Sequence, residues 1–235
     1  MTGIIGAMRC EVDTLIESMQ NVSVDEISSV KFYKGTIGGA EVVVAEAGVG
    51  KVNAAVTAQT MILKYNTDRI INIGVAGGLN KNLAIGDVVV AEKCAEHDMD
   101  TTPIGDAPGY ITGLDRVYTE CDKSLVGLLC ECTEELEIHT IVGTIVSGDQ
   151  FISREDQRKK LIEVFGGDAA EMEGAAIGHV CAMNDVSFVV LRAISDGADS
   201  DSHMDFSTFC RMAAQNSARI VKNLLVKLGE KRNNR

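Results

Sequence analysis

Tryptophan is absent from this chain, and proline occurs only at Pro103 and Pro108. That scarcity excludes Pro-rich linkers and Pro-based recognition tails. Cations are also in short supply: 22 Lys and Arg stand against 34 Asp and Glu, a formal net charge of -12. Nucleic-acid binders draw affinity from clustered Lys and Arg, so no nucleic-acid partner is expected, and an anionic membrane surface would repel such a chain. No apolar run approaches the roughly 18 residues of a membrane span, and no basic segment precedes a long apolar one at the start, so neither an anchor nor a secretory leader is expected. The cysteines (Cys10, Cys94, Cys121, Cys130, Cys132, Cys181 and Cys210) include no CxxC pair and no framework spacing. His97, His139, His179 and His203 are scattered without metal-ligand spacing. The expectation is a reduced, cytoplasmic protein with no metal, free to bind a neutral or cationic small molecule.

What is present is the rhythm of an α/β fold. A hydrophobic share of 46% and a charged share of 24% over 235 residues suit a globular chain. They predict one domain over residues 1–235, with a frayed polar tail at 229–235. Apolar runs predict strands over 3–6, 31–37, 41–46, 69–74, 87–92, 141–147 and 188–194. Helical spacing predicts helices over 11–19, 52–65, 123–136, 153–165, 174–184 and 206–228. Gly38-Gly39 signals a tight hairpin, so the central sheet should be mixed, inside a three-layer α/β/α arrangement. Ser153 with Asp156 reads as a capping pair for its helix. Residues 97–115, which hold both prolines, read as a functional loop.

Polar residues gather where strands end. Strand tips run into Gly6-Ala7-Met8-Arg9-Cys10-Glu11, Gly48-Val49-Gly50-Lys51, Gly74-Val75-Ala76-Gly77-Gly78, Ser147-Gly148-Asp149-Gln150-Phe151-Ile152, Glu171-Met172-Glu173 and Ser195-Asp196. Open α/β sheets bind ligands outside the carboxyl ends of their strands, so these six tips point to one site. Neither glycine loop is a standard phosphate motif: around Gly50-Lys51 a P-loop needs Gly at Ala45 and Ser or Thr at Val52, and a dinucleotide fingerprint needs Gly at Asn53.

Each piece has a plainer explanation. Glycines make tight turns. Glu11 and Glu173 suit helix N-termini, and Asp196 suits a turn. Met8 and Met172 suit a core. His97-Asp98 has the look of a proton relay, although a loop histidine bonded to a neighbouring acid is commoner. Asp199, Asp201, His203 and Asp205 lack the Gly and Glu of a calcium loop and read as a solvated turn.

Taken in order, Ile4-Ile5-Gly6-Ala7-Met8 with Glu11, Gly48-Val49-Gly50-Lys51-Val52, Gly77-Gly78-Leu79, Ile145-Val146-Ser147-Gly148-Asp149 with Phe151-Ile152, Glu171-Met172-Glu173 and Arg192-Ala193-Ile194-Ser195-Asp196 resemble the nucleoside phosphorylase superfamily. Within it the chain is most similar to the 5′-methylthioadenosine/S-adenosylhomocysteine nucleosidase family, from about Gly3 to Leu228. The resemblance implies that Glu11 activates water, that Asp196 protonates N7 of adenine with Ser195 orienting it, and that Glu173 holds the ribose hydroxyls. It implies that Phe151 stacks on adenine beside the backbone of Ile152, and that Met8 and Met172 pack on the ribose. Val49, Ile104 and Phe206 would form the pocket for the 5′-thio group, with Ile104 crossing into a neighbouring subunit's site, hence a homodimer. No cofactor is implied.

The chemistry is consistent with those roles. Cleaving an N-glycosidic bond leaves a cationic sugar and an adenine anion unless the base is protonated as it departs, so a carboxyl group is needed on either side of the bond, as in inverting glycoside hydrolysis. Val75 stands where a Ser or Thr is expected in the glycine loop, removing a hydroxyl that phosphorylases use on phosphate. Arg9 and Cys10 replace acidic residues, Asp106 replaces an aromatic and Gln150 a small residue. A purine nucleoside phosphorylase, or a nucleoside-binding sensor without catalysis, is the competing reading. A futalosine-type or AMP-type nucleosidase is less favoured, because nothing suggests recognition of a bulky or phosphorylated 5′ group.

Overall fold

The structure is a computed structural model that describes residues 1–196 and 206–233, with the side chains of 1–195 and 212–229. Its centre is β1 (Thr2–Gly6), every position of which is buried. A strand covered on both faces has no polar alternation to show, which is why this segment reads as an unbroken apolar run. β1 lies parallel to β4 (Ala40–Glu46) on one side and to β5 (Arg69–Gly78) on the other. From β4 the sheet continues antiparallel through β3 (Val30–Ile37) to the edge strand β2 (Gln20–Ile27). Gly38 and Gly39 join β3 to β4 with φ of +56° and +81°, a two-residue turn open to glycine.

On the far side of β5 the sheet closes on itself. β5 pairs in parallel with β10 (Ser187–Asp196), and β10 pairs antiparallel with β6 (Val88–Glu96). β6 runs parallel to β8 (Thr140–Ser147), β8 is parallel to β9 (Ala169–Glu171), and β9 returns antiparallel to β5. β7 (Tyr118–Glu120) adds to β6. The mixed sheet was expected; the closed ring was not. Closure depends on β9, a three-residue strand, and it turns the ends of β5, β8, β9 and β10 toward one another.

Among the described residues six helices flank the sheet: α1 (Arg9–Glu17), α2 (Lys51–Tyr65), α3 (Lys123–Glu135), α4 (Glu155–Phe165), α5 (Gly174–Met183) and α6 (Phe206–Asn233). α2 packs on α5, while α6 packs on α1 and α3. α3 is capped by Asp122, which accepts from the Ser124 and Leu125 amides at 2.8 and 3.0 Å. The cap expected at Ser153 lies one residue later. Arg154 is the N-cap, its amide donating to Gln157 Oε1 at 3.4 Å, and Asp156 is drawn instead into an ion pair with the Arg154 guanidinium. α6 runs past Leu228 to Asn233, so helix occupies part of the expected polar tail.

Among the described residues Cys94, Cys121, Cys130, Cys132 and Cys181 are free. Among the described residues no helix is long and apolar enough to cross a membrane, and no group of His, Cys, Asp and Glu is arranged to hold a metal ion.

The small-residue run that opens α5 lets this helix sit close on the sheet. A Cβ at Gly178 would lie 2.6 Å from Phe188 Cζ and 2.8 Å from Thr119 Oγ1. Gly178→Ala should therefore cost about 1–3 kcal/mol of stability through overpacking, in spite of alanine's better helix propensity. Denaturant unfolding checks this, and an equal or raised midpoint would show that the interface has slack.

Candidate active site

The site is built around a cation that sequence reading left without a role. Arg192 occupies the middle of β10 with 1% exposure. A guanidinium taken out of water is tolerated only when its donors are paired. Nε donates to Glu171 Oε2 at 3.1 Å, and Nη2 makes a shorter contact with the same oxygen. Nη2 also donates to Asn72 Oδ1 at 2.6 Å and lies 3.7 Å from Glu173 Oε2. Asn72 is fixed in turn by donating to the Ile5 carbonyl at 2.9 Å. Glu171 takes a short hydrogen bond from the Ser147 hydroxyl and further bonds from the amides of Glu173 (3.1 Å) and Gly174 (2.9 Å). One buried network thus joins β1, β5, β8, β9 and β10. Its signal in the sequence is a lone Arg inside an apolar strand, a residue that cannot be buried there without a carboxylate partner.

Glu11 arises from the first turn of α1 and folds back over its own N-terminus. Its Oε2 accepts from the Ala7 and Met8 amides at 2.7 and 2.9 Å, and its Oε1 accepts from Val75 at 3.1 Å. The helix-terminus explanation therefore holds in part, but the third bond reaches across to β5 and aims the carboxylate at a different strand tip. Burial pushes the Glu11 carboxyl above its ordinary range, against the pull of Arg192 and the three amides. Gly74 makes the approach possible: a Cβ there would meet Glu11 Oε1 at 2.6 Å and Arg192 Nη1 at 2.9 Å.

Glu173 is the N-cap residue of α5, and its Oε1 accepts from the Gly50 amide at 2.9 Å. Burial, followed by the charge of Glu171, raises it to about 7, while Arg192 and the Gly50 amide act the other way. The Glu11 charge adds to the rise, so the two acids sense each other. At neutral pH one group is poised to change charge while the other sits in a cage of donors.

Both carboxylates open into a cavity of about 160 Å³. Met8, Glu11, Val49, Val75, Phe151, Ile152, Met172, Glu173 and Ser195, all singled out from the sequence, line it together with Gln150 and Glu171. Its walls are thus chiefly apolar. Phe151 leaves 74% of its surface open, a ring free to stack on a planar ligand. The Ser195 hydroxyl donates to the Ala76 carbonyl at 3.2 Å. Ile104 does not join them. It sits on a short 3-10 turn (Thr102–Ile104), 81% exposed. The backbone of Asp196 ends β10 opposite Gly77, beyond a register shift. The side chains of Asp196 and Phe206, and the cluster from Asp199 to Asp205, lie outside the described residues.

A model of the phosphorylase superfamily matches residues 2–226. A 5′-methylthioadenosine/S-adenosylhomocysteine nucleosidase of Shewanella sediminis is 42% identical, covering 96% of this chain and 99% of its own length. A nucleosidase of the same description from Colwellia psychrerythraea, solved in complex with adenine, has a TM-score of 0.91 at 34% identity, over 97% of this chain and 95% of that one. The futalosine hydrolase of Helicobacter pylori has a TM-score of 0.90, also at 34% identity, over 96% of this chain and 97% of that one.

The position of Glu173 has a consequence for stability. An acid raised in the folded state supports folding only while protonated, so its contribution is complete below its ordinary value and lost as pH rises through about 7. Glu173→Gln keeps an acceptor for Gly50 and removes the ionised form. It should be more stable than the parent by roughly 1–3 kcal/mol at pH about 8, with the difference vanishing near pH about 4. Thermal melts across that range check it; a variant less stable at the alkaline end would show that Glu173 is ionised at no cost.

Proposed function

The chain belongs to the phosphorylase superfamily and, within it, to the 5′-methylthioadenosine/S-adenosylhomocysteine nucleosidase family of N-ribosyl hydrolases, and from that premise we propose that it releases adenine from 5′-methylthioadenosine and S-adenosylhomocysteine by water attack. The observation that carries this reading is the convergence of Glu11 and Glu173, both buried, in one chiefly apolar cavity with an exposed aromatic ring at its wall.

In this mechanism adenine lies against Phe151 and beside the Ile152 backbone, and the ribose lies between Met8 and Met172. Glu173, when ionised, accepts from the ribose hydroxyls and sets a negative charge beside the sugar as it becomes cationic. Glu11 takes a proton from the attacking water; three amides hold one rotamer, so little reorganisation is needed during the step. Asp196, at the tip of β10, protonates N7 so that the base leaves neutral, with Ser195 orienting it. Val49, Ile104 and Phe206 receive the 5′-thio group. Exposure of Ile104 on its own subunit supports a role in the neighbouring site, hence a homodimer. The chain acts as one nucleosidase domain, without cofactor. We place it in the cytoplasm on the strength of the five free thiols among the described residues.

Two observations favour hydrolysis over phosphorolysis. Among the described residues those lining the cavity include no Lys or Arg, and the Arg192 guanidinium behind it is committed to Glu171 and Asn72. Val75 gives its amide to Glu11 and has no hydroxyl to offer a phosphate.

Glu11→Gln and Asp196→Asn should each lower adenine release by about 10²–10⁴-fold with little change in melting temperature. The wild-type product should be the free 5′-thio sugar, with or without added phosphate. A sugar 1-phosphate would convert the reading to a phosphorylase. Binding of the nucleoside without turnover would make the protein a sensor.

A further inference from the structure

Outside the cavity, three strand-tip loops are tied by a closed ring of hydrogen bonds that passes twice through Lys51. The Lys51 ammonium donates to Asp98 Oδ1 at 2.7 Å. The other oxygen of Asp98 accepts from the Asp149 amide at 2.8 Å. Asp149 Oδ1 accepts from the Lys51 amide at 2.8 Å, which completes the ring. The ammonium also donates to Glu96 Oε2 at 3.0 Å, and Glu96 Oε1 lies 2.8 Å from His179 Nδ1 on α5. Burial would raise Glu96 and Asp98, but Lys51 with the Asp149 amide outweighs it for Asp98, and His179 with Lys51 for Glu96, so both stay below the ordinary carboxylate range. Asp98 is thus bound to Lys51 and Asp149 and is no relay partner for His97.

The ring stands one residue from the site at two points. Gly50, before Lys51, gives its amide to Glu173. Gln150, Phe151 and Ile152, after Asp149, form the cavity wall. An anchor at Lys51 therefore sets the spacing between the carboxylate on the sugar side and the wall on the base side. Resting on the nucleosidase reading of that cavity, we infer that Lys51 is a positioning residue that locks the base-binding loop to the Gly50 amide and thereby holds Glu173 in register with the sugar.

Glu173 faces Glu171 from β9, Arg192 from β10, Glu11 from α1 and the Gly50 amide from the loop before α2. Only the last of these depends on Lys51. Lys51→Met keeps the aliphatic stem, removes the cation and leaves Asp98 and Glu96 to repel each other. The Gly50 amide then withdraws, and the ionised form of Glu173 loses a donor. The test is the carboxyl titration of Glu173 in the ligand-free protein, followed by ¹³C resonances of labelled glutamate assigned with Glu173→Gln. In Lys51→Met the midpoint should rise by roughly half to one pH unit, and kcat/KM for adenine release should fall on the order of 10–100-fold. Lys51→Arg, which keeps a cation with donors for both acids, should bring the titration back toward wild type. If Lys51→Met does not fold, Asp149→Ala opens the same ring at an exposed residue and should move the midpoint in the same direction. An unchanged Glu173 midpoint in a folded variant overturns the inference. A wild-type protein that releases no adenine overturns the nucleosidase reading instead, and the titration still decides the part played by Lys51.

Discussion

A guanidinium sealed inside a β-sheet sets the terms for everything around it. Arg192 has almost no contact with solvent, so its desolvation must be met by Glu171 and Asn72, and they are held in place by Ser147, the Ile5 carbonyl and the start of α5. The same positive charge draws down Glu11 and Glu173, which burial would otherwise push further up. A cavity with apolar walls can therefore hold two acids raised above the ordinary carboxylate range, Glu173 to about 7. Apolar replacements of buried ion pairs are often neutral for stability, but without the Arg192–Glu171 pair the cavity would lose the field that keeps its carboxylates usable.

The closed ring of strands gives this charge its geometric effect. β5, β8, β9 and β10 end around one opening, and each delivers a component: the Val75 amide, the loop to Phe151, the Glu171–Glu173 segment and Ser195. β1 supplies the turn into Glu11. Ligand binding at the carboxyl ends of strands follows from this arrangement, and the choice between water and phosphate as the attacking group follows from which side chains the tips carry. Here they carry acids, and the cation behind them is already occupied.

Much of this was legible in the residues. The Gly38-Gly39 hairpin and the buried strands at 3–6 and 188–194 follow from local chemistry, and the strand-tip motifs named nearly the whole cavity lining through their resemblance to a family. β2 was not legible: its residues are mostly exposed, so no apolar period marks it. β7 is too short to show a period, and although β9 is legible as a strand tip ahead of Glu171, the two pairings through which it closes the ring are not. The cap of α4 was misplaced because Asp156 has a competing partner in Arg154. The roles of Arg192, Glu171 and Asn72 were missed because their meaning lies in pairings between 21 and 120 residues apart. Ile104 lies on an exposed 3-10 turn and does not line the cavity, a placement that its sequence context does not report.

If a buried cation keeps Glu173 poised near neutrality for the sugar, then the pH dependence of kcat/KM for adenine release from 5′-methylthioadenosine is the most direct measurement. Activity should fall on the acid side with a midpoint near the Glu173 value of about 7. A profile that stays flat down to about pH 5 would mean that the protonation state of Glu173 does not matter to the reaction, and the electrostatic basis of the site would be wrong.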